Sequence, residues 1–379
     1  MSSPAADSAR KVTIGPLEIF GHSTLVTADK GIAAQFLQHE LSIYPKSASG
    51  PTRHFAVTYR SPPDGGLPNP ALHVTQPDGF VARFPSASLH YRFDGARFSG
   101  VGIHLPAPLG GPRAIRSRWR SIQFAAQEEA VGQLFHELAA VPALYFDGDR
   151  LPLHASAFDV PGAGMTLIGG TGGVGKTTLA LDLCLRHDAV FAADDVAVVG
   201  TDGLVHPNLA YPKIYAYNVQ DDEALEKRVL GTASRLEQLQ WKWRLRRRGP
   251  SQVRRRVSPM VLYGRVAPSP SPARRYFILV REHRAGFGSD AISARIAADM
   301  SGSILRAEYD TFHRHLEWHA FNAVAAGMTP RIRVDEHFAH LRELASAILD
   351  DVDCRIIRVP MNLSHADLRR GLATLVAGH

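Results

Sequence analysis

The sequence predicts an α/β chain in two parts: a β-rich N-terminal domain over residues 1–120 and an α/β domain over 121–379. Three observations predict it. A glycine-rich run, Gly170-Thr171-Gly172-Gly173-Val174-Gly175-Lys176-Thr177, lies between an apolar strand-like stretch at 165–168 and a helix-like stretch at 177–183. Two short β runs at 189–192 and 196–199 follow that helix and flank Asp194-Asp195. Residues 11–110 are cut by Pro, Gly and Asn into strand-length segments.

At 379 residues the chain has room for two domains, or for one large domain with extensions. A hydrophobic content of 45% suits a protein with a substantial core. Cys184 and Cys354 are the only cysteines. That argues against a disulfide scaffold and a Cys-rich zinc site, and it suits a reducing cytoplasm. The opening Met1-Ser2-Ser3-Pro4-Ala5-Ala6-Asp7 is small and polar, unlike a signal peptide. No run approaches the length that spans a bilayer, so the expected home is the cytoplasm, with no membrane partner.

The formal net charge of +7 favours acidic partners: nucleotides, phosphorylated metabolites or an acidic protein. Much of it comes from Lys242-Trp243-Arg244-Leu245-Arg246-Arg247-Arg248, continued by Arg254-Arg255-Arg256. Such a run reads as a solvated helix end and loop, a candidate lid over ATP, rather than as a nucleic-acid site. Trp241 and Trp243 are expected to dock the helix on the core rather than to stack on bases.

In the N-terminal part, Val12-Thr13-Ile14 and Ala56-Val57-Thr58-Tyr59 read as strands, and residues 33–41 as a helix. Ser61-Pro62-Pro63-Asp64-Gly65-Gly66 and Pro68-Asn69-Pro70 are turns. Nothing there carries a chemical motif. Residues 106–112 form a Pro/Gly-rich connector. A helix is expected over 122–140, with Val131, Leu134, Phe135 and Leu138 spaced along it as one apolar face. Residues 153–158 read as a strand, and Pro161-Gly162-Ala163-Gly164 as the tight turn into the strand before the glycine run.

Thr201-Asp202-Gly203 is a hairpin-type turn, and 221–239 reads as one or two helices. Pro268-Ser269-Pro270-Ser271-Pro272 reads as a rigid linker that starts no regular element. Tyr276-Phe277-Ile278-Leu279-Val280 reads as a buried strand and 281–289 as a polar loop. The remainder is mostly helical, with a strand at 354–359, and no internal repeat is present.

The glycine run fits G-x-x-x-x-G-K-[ST] in full, and its strand–loop–helix setting makes the pattern a phosphate site. Glycines let consecutive backbone N–H groups converge on a phosphate with no Cβ in the way. The helix N-terminus adds partial positive charge. The nucleotide-binding set is then Gly170, Thr171, Gly172, Gly173, Val174, Gly175, Lys176, Thr177 and Thr178. Lys176 neutralises the β- and γ-phosphates, and the Thr177 hydroxyl sits on Mg²⁺.

Asp194 and Asp195 come after the helix and one β run. A strand returning beside the loop strand brings one carboxylate near the metal, in the manner of a Walker-B acid. Two adjacent acids allow one to hold the metal while the other accepts a proton from an attacking hydroxyl. His154 lies on the strand before the loop strand. If those strands pair, it can orient an acid or contact a phosphate; a purely structural histidine is the plainer alternative.

Leu153-His154-Ala155-Ser156-Ala157, the glycine run and Ala193-Asp194-Asp195 together resemble the catalytic domain of the HPr kinase/phosphorylase family. The order and approximate spacing match over about residues 153–213; Tyr211-Pro212-Lys213 resembles that family's substrate-side segment less closely. The resemblance implies a P-loop α/β kinase domain related to phosphoenolpyruvate carboxykinase, transferring the γ-phosphoryl group of ATP, or GTP in its place, to a hydroxyl with Mg²⁺. It implies Lys176 and Thr177 on phosphate and metal, Asp194 in the metal shell, Asp195 as base, and His154 assisting. It also implies a homo-oligomer. The glycine-rich signature that true HPr kinases carry after the Asp pair is missing, and residues 1–120 do not look like theirs. The expected acceptor is therefore not HPr but the hydroxyl of a small molecule or peptide.

His313, His315 and His319 form a second cluster with helical spacing, but without H-E-x-x-H they are not counted as a metal site. Arg281 and Arg284, near Gly286 and Gly288, are candidates for an in-cis arginine finger, with a plain surface role as the alternative. A nucleotide-gated regulator of a protein partner is the second functional reading. A nucleic-acid-binding ATPase ranks last, since no helicase-type motif accompanies the loop.

Overall fold

The computed structural model describes residues 11–63, 65–69, 72–124, 126–219 and 222–377. The expectations for residues 1–7, Asp64, Pro70 and Asp221 lie outside the described residues. The chain is mixed α/β and divides into two compact units, each built from three stretches. The first takes residues up to Pro108, Glu128–Arg150 and Leu305–Glu343; the second takes Leu109–Gln127, Leu151–Ile304 and Leu344 onward. The sequence-based cut, 1–120 and 121–379, was contiguous. It could not register helices far along the chain that belong with the first sheet.

The first unit is built on eight strands: β1 (Lys11–Ile19), β2 (His22–Asp29), β3 (Arg53–Thr58), β4 (Leu67–Asn69), β5 (His73–Gln76), β6 (Gly79–Phe84), β7 (Ala87–Asp94) and β8 (Arg97–His104). Their order is β1-β2-β3-β8-β7-β6-β5-β4. The helix Ile32–Leu41 is the crossover that lets β2 and β3 run parallel. The later strands pair antiparallel as hairpins. Phe55, Phe80, Tyr91, Phe135 and Phe312 are fully buried and make its core. Instead of one regular helix over 122–140, a helical run passes through a π-helical stretch at Leu134–Ala140 and ends at Phe146.

The second unit contains β9 (Arg150–Leu153), β10 (Ala155–Val160), β11 (Gly164–Gly170), β12 (Val190–Ala193), β13 (Ala197–Gly200), β14 (Leu204–His206), β15 (Lys213–Tyr215), β16 (Arg254–Arg256), β17 (Ser271–Glu282), β18 (Gly288–Ala291) and β19 (Asp353–Pro360). The main sheet runs β12-β10-β11-β17-β14-β13-β9. β17 forks, since it also pairs with β19, which in turn pairs with β18. β11, β17 and β19 are mutually parallel, and Tyr276, Phe277, Ile278 and Leu279 are almost wholly buried, as a run covered on both faces must be.

Several local expectations change. The single strand over 153–158 is split at His154, between β9 and β10. The Pro-rich linker does start an element, because Ser271 and Pro272 open β17 against β14. The loop expected over 281–289 is shortened by β17 at one end and β18 at the other. The basic segment is not a lid-like loop: its first part closes the helix Arg235–Arg248 and its second is β16, paired with β15. Trp241 is buried in that helix as expected, but Trp243 stays 40% exposed, edge-on to Trp119. Among the described residues no helix is long and apolar enough to cross a membrane.

Candidate functional site

The glycine run joins β11 to the helix Lys176–Arg186. Gly170, Gly173 and Gly175 have φ of 135°, 77° and 112°, values that L side chains rarely adopt. A Cβ at Gly170 would lie 2.8 Å from the Leu279 carbonyl oxygen, whereas Gly172 and Gly173 face open space. No side chain caps the helix, and its first turn carries no acid. The N-cap Gly175 offers no side-chain acceptor, so the partial positive charge at this helix end favours an anion.

Lys176 is buried, and its ammonium donates to the carbonyls of Gly170 at 2.5 Å and Thr171 at 3.0 Å. It also lies 3.2 Å from His154 Nε2. If Lys176 donates there, Nε2 is the acceptor and the imidazole proton sits on Nδ1. β10 pairs antiparallel with β11, with Ala155 opposite Gly169. That register carries the preceding His154 to the start of the glycine loop.

The acids arrive by a different route from the one expected. β12 does not lie beside β11; it pairs with β10, which stands between them. Asp194 follows β12 and is buried, accepting a hydrogen bond from the Ser156 hydroxyl of β10 at 2.7 Å. Burial pushes its pKa up to about 6, and the neighbouring Asp195 charge adds to that; the Ser156 bond and Lys176 pull the other way. Asp195 has a φ of 61°, a left-handed conformation uncommon for a non-glycine residue. Its carboxylate is 50% exposed and lies 3.6 Å from Lys213 Nζ, on β15. Burial works to raise its pKa, but Lys213 first, then His154 and Lys176, outweigh it and hold the carboxyl below its ordinary value.

The neighbouring strands β10, β11 and β12 and the segments at their ends thus gather His154, Ser156, Lys176, Asp194 and Asp195, with Lys213 of the β15–β16 ribbon on Asp195. Ser156 joins this cluster through Asp194 without being singled out by the sequence, although it lies two positions after His154 in a stretch that reads as one strand. Lys213 sits in a segment already singled out, but its pairing with Asp195 is long-range and leaves no local pattern. The Thr177 hydroxyl and the buried Asp194 carboxylate, which accepts from one hydroxyl, are hard oxygen groups of the kind that Mg²⁺ takes.

The weaker candidates resolve differently. His313, His315 and His319 are buried in the helix Asp310–Ala325 of the first unit. His315 and His319 pack against His73, with ring centroids 5.8 and 6.2 Å away, and the His313 ring is 2.9 Å from the Tyr145 hydroxyl. Among the described residues the one set of three His, Cys, Asp or Glu side chains close enough to share a metal ion is His22, Asp147 and Asp149. There Arg53 contacts Asp147 and Arg150 contacts Asp149, so guanidinium groups already occupy both carboxylates. Arg284 is paired with Glu282 at 3.0 Å, and Arg281 donates to the Met361 carbonyl at 3.3 Å. Neither is presented as a free finger. Compared with models of known protein families and with curated proteins, the chain matches none.

Proposed function

We propose that the second unit is an ATP-dependent kinase of the HPr-kinase-like P-loop type, moving a γ-phosphoryl group to a hydroxyl of a small molecule or of a peptide Ser or Thr. The observation that carries the reading is a conformationally glycine-dependent loop, opening an uncapped helix, whose lysine acts electrostatically on two adjacent carboxylates. In this reading the loop amides and the first turn of the helix receive the β- and γ-phosphates. Lys176 turns from its loop carbonyls to the phosphates, while His154 steadies it from the side. Thr177 and Asp194 would hold Mg²⁺, which neutralises charge on the phosphates.

Asp195 takes the proton of the attacking hydroxyl. Its lowered pKa makes it a weak base. Phosphoryl transfer through a loose transition state asks little of the nucleophile, so positioning and charge neutralisation supply most of the rate. The two buried thiols suit a reducing cytoplasm. The test is mass spectrometry of metabolite and peptide acceptors incubated with magnesium–ATP. A gain of one phosphate that disappears in Asp195→Asn supports the reading. Nucleotide consumption with no phosphorylated acceptor turns it toward a nucleotide-gated regulator.

A further inference from the structure

A pocket opens along one face of the helix Lys176–Arg186, beginning one residue beyond the glycine run. That face supplies Thr178, Leu181, Asp182, Leu185 and Arg186, spaced as i, i+3, i+4, i+7 and i+8. Tyr217, Asn218, Asp222, Leu225 and Arg369 close it from the other side. We propose that this pocket takes the nucleoside end of the triphosphate, with a purine ring against Tyr217. The proposal rests on the nucleotide reading of the glycine loop.

Four observations carry it. First, Thr178 belongs to both places: it is in the first turn of the helix, where phosphates gather, and it lines the pocket. Second, the direction is right. Lys176 bonds the loop carbonyls of Gly170 and Thr171 at the head of the helix, the phosphate end in this reading, and the pocket extends from Thr178 away from it down the helix, over roughly 12 Å at 1.5 Å per residue. Third, the lining suits a base and a sugar: Leu181, Leu185, Leu225 and an aromatic ring, with a few convergent polar groups. Fourth, the wall is built rather than incidental. Asn218 Nδ2 donates to Thr178 Oγ1 at 3.3 Å, and the Tyr217 ring stacks on Tyr215 at 5.4 Å. Asp182 and Asp222 are bridged by Arg186 and Arg369, so the carboxylates do not present unbalanced charge to an anionic ligand.

The experiment is calorimetric titration of wild type, Tyr217→Ala and Leu185→Arg with two probes, magnesium–ATP and magnesium–tripolyphosphate. The second probe has the phosphates without the nucleoside. Loss of base stacking in Tyr217→Ala, and the bulk of the new side chain filling the pocket in Leu185→Arg, are each expected to weaken ATP about tenfold or more. Tripolyphosphate affinity should stay within twofold of wild type, which also shows that the variants are folded. Unchanged ATP affinity in both variants overturns the pocket assignment and leaves the loop reading intact. Equal weakening of both probes in both variants also overturns it. A wild-type protein that binds neither probe overturns the loop reading and the pocket with it.

Discussion

The Lys213 ammonium lies 3.6 Å from the Asp195 carboxylate and ties the turn between β12 and β13 to the small β15–β16 ribbon. The ribbon sets Lys213 opposite Arg256. Asp195 is held in a left-handed conformation, a strain on the order of 1–3 kcal/mol that persists only where the surroundings over-determine it. The lysine and that strained turn together define which way the second acid of the pair points and how readily it takes a proton.

Asp195→Asn should lower turnover by about 10²–10⁴, as loss of a general base does, with magnesium–ATP affinity retained. Steady-state kinetics beside calorimetry reads both. Intact turnover would remove Asp195 as the base and favour the regulator reading. Lys213→Met takes away the largest charge holding the Asp195 carboxyl low. The acid limb of the kcat/KM profile should then move to higher pH, and a stationary limb would contradict the coupling.

Asp194 makes the opposite prediction. Its folded pKa is raised to about 6. Its contribution to stability is therefore fully present below its unfolded value, near about 4, and is lost as pH rises through about 6. Asp194→Asn cannot ionise. Its melting temperature relative to wild type should climb between about pH 4 and pH 7, and a difference that stays flat would count against the buried, raised carboxyl.

Ser156→Ala removes the hydroxyl that donates to Asp194. A hydrogen bond to a charged group is worth about 1.5–3 kcal/mol, so a loss of that order is expected in urea unfolding near neutral pH. Because that bond lowers the Asp194 pKa, any activity that needs the ionised acid should have its midpoint pushed above that of wild type. A midpoint unchanged or lower would separate Ser156 from the site.

Gly175→Ala puts a Cβ at a φ of 112° and 3.0 Å from Leu368 Cδ2. The expected cost is about 1–3 kcal/mol in denaturant unfolding, since alanine resists that conformation whatever space is made for it. Wild-type stability in this variant would mean that the loop backbone is not as described.

The glycine run was legible because its chemistry is local: spacing, glycine content and the flanking strand and helix lie within about twenty residues. The Asp pair was legible by position, but its route was not. Nothing in the sequence says that β10 comes between β11 and β12, since strand order depends on long-range pairing. Ser156 and Lys213 stayed hidden as site members for the same reason. The turns of the first unit mark it as strand-rich, yet the helices of Leu305–Glu343 that complete it lie about two hundred residues further along the sequence. The Pro-rich stretch misled because proline is tolerated at the first residues of a strand, where Pro272 sits in β17. The histidine cluster has ligand-like spacing but is a set of packed rings.

The most direct measurement is calorimetric titration of the full chain and of Lys176→Ala with magnesium–ATP. The account predicts saturable one-site binding in wild type, and loss or at least about a hundredfold weakening in the variant, where the buried ammonium at the loop is gone. No heat in wild type, or equal affinity in Lys176→Ala, would contradict it.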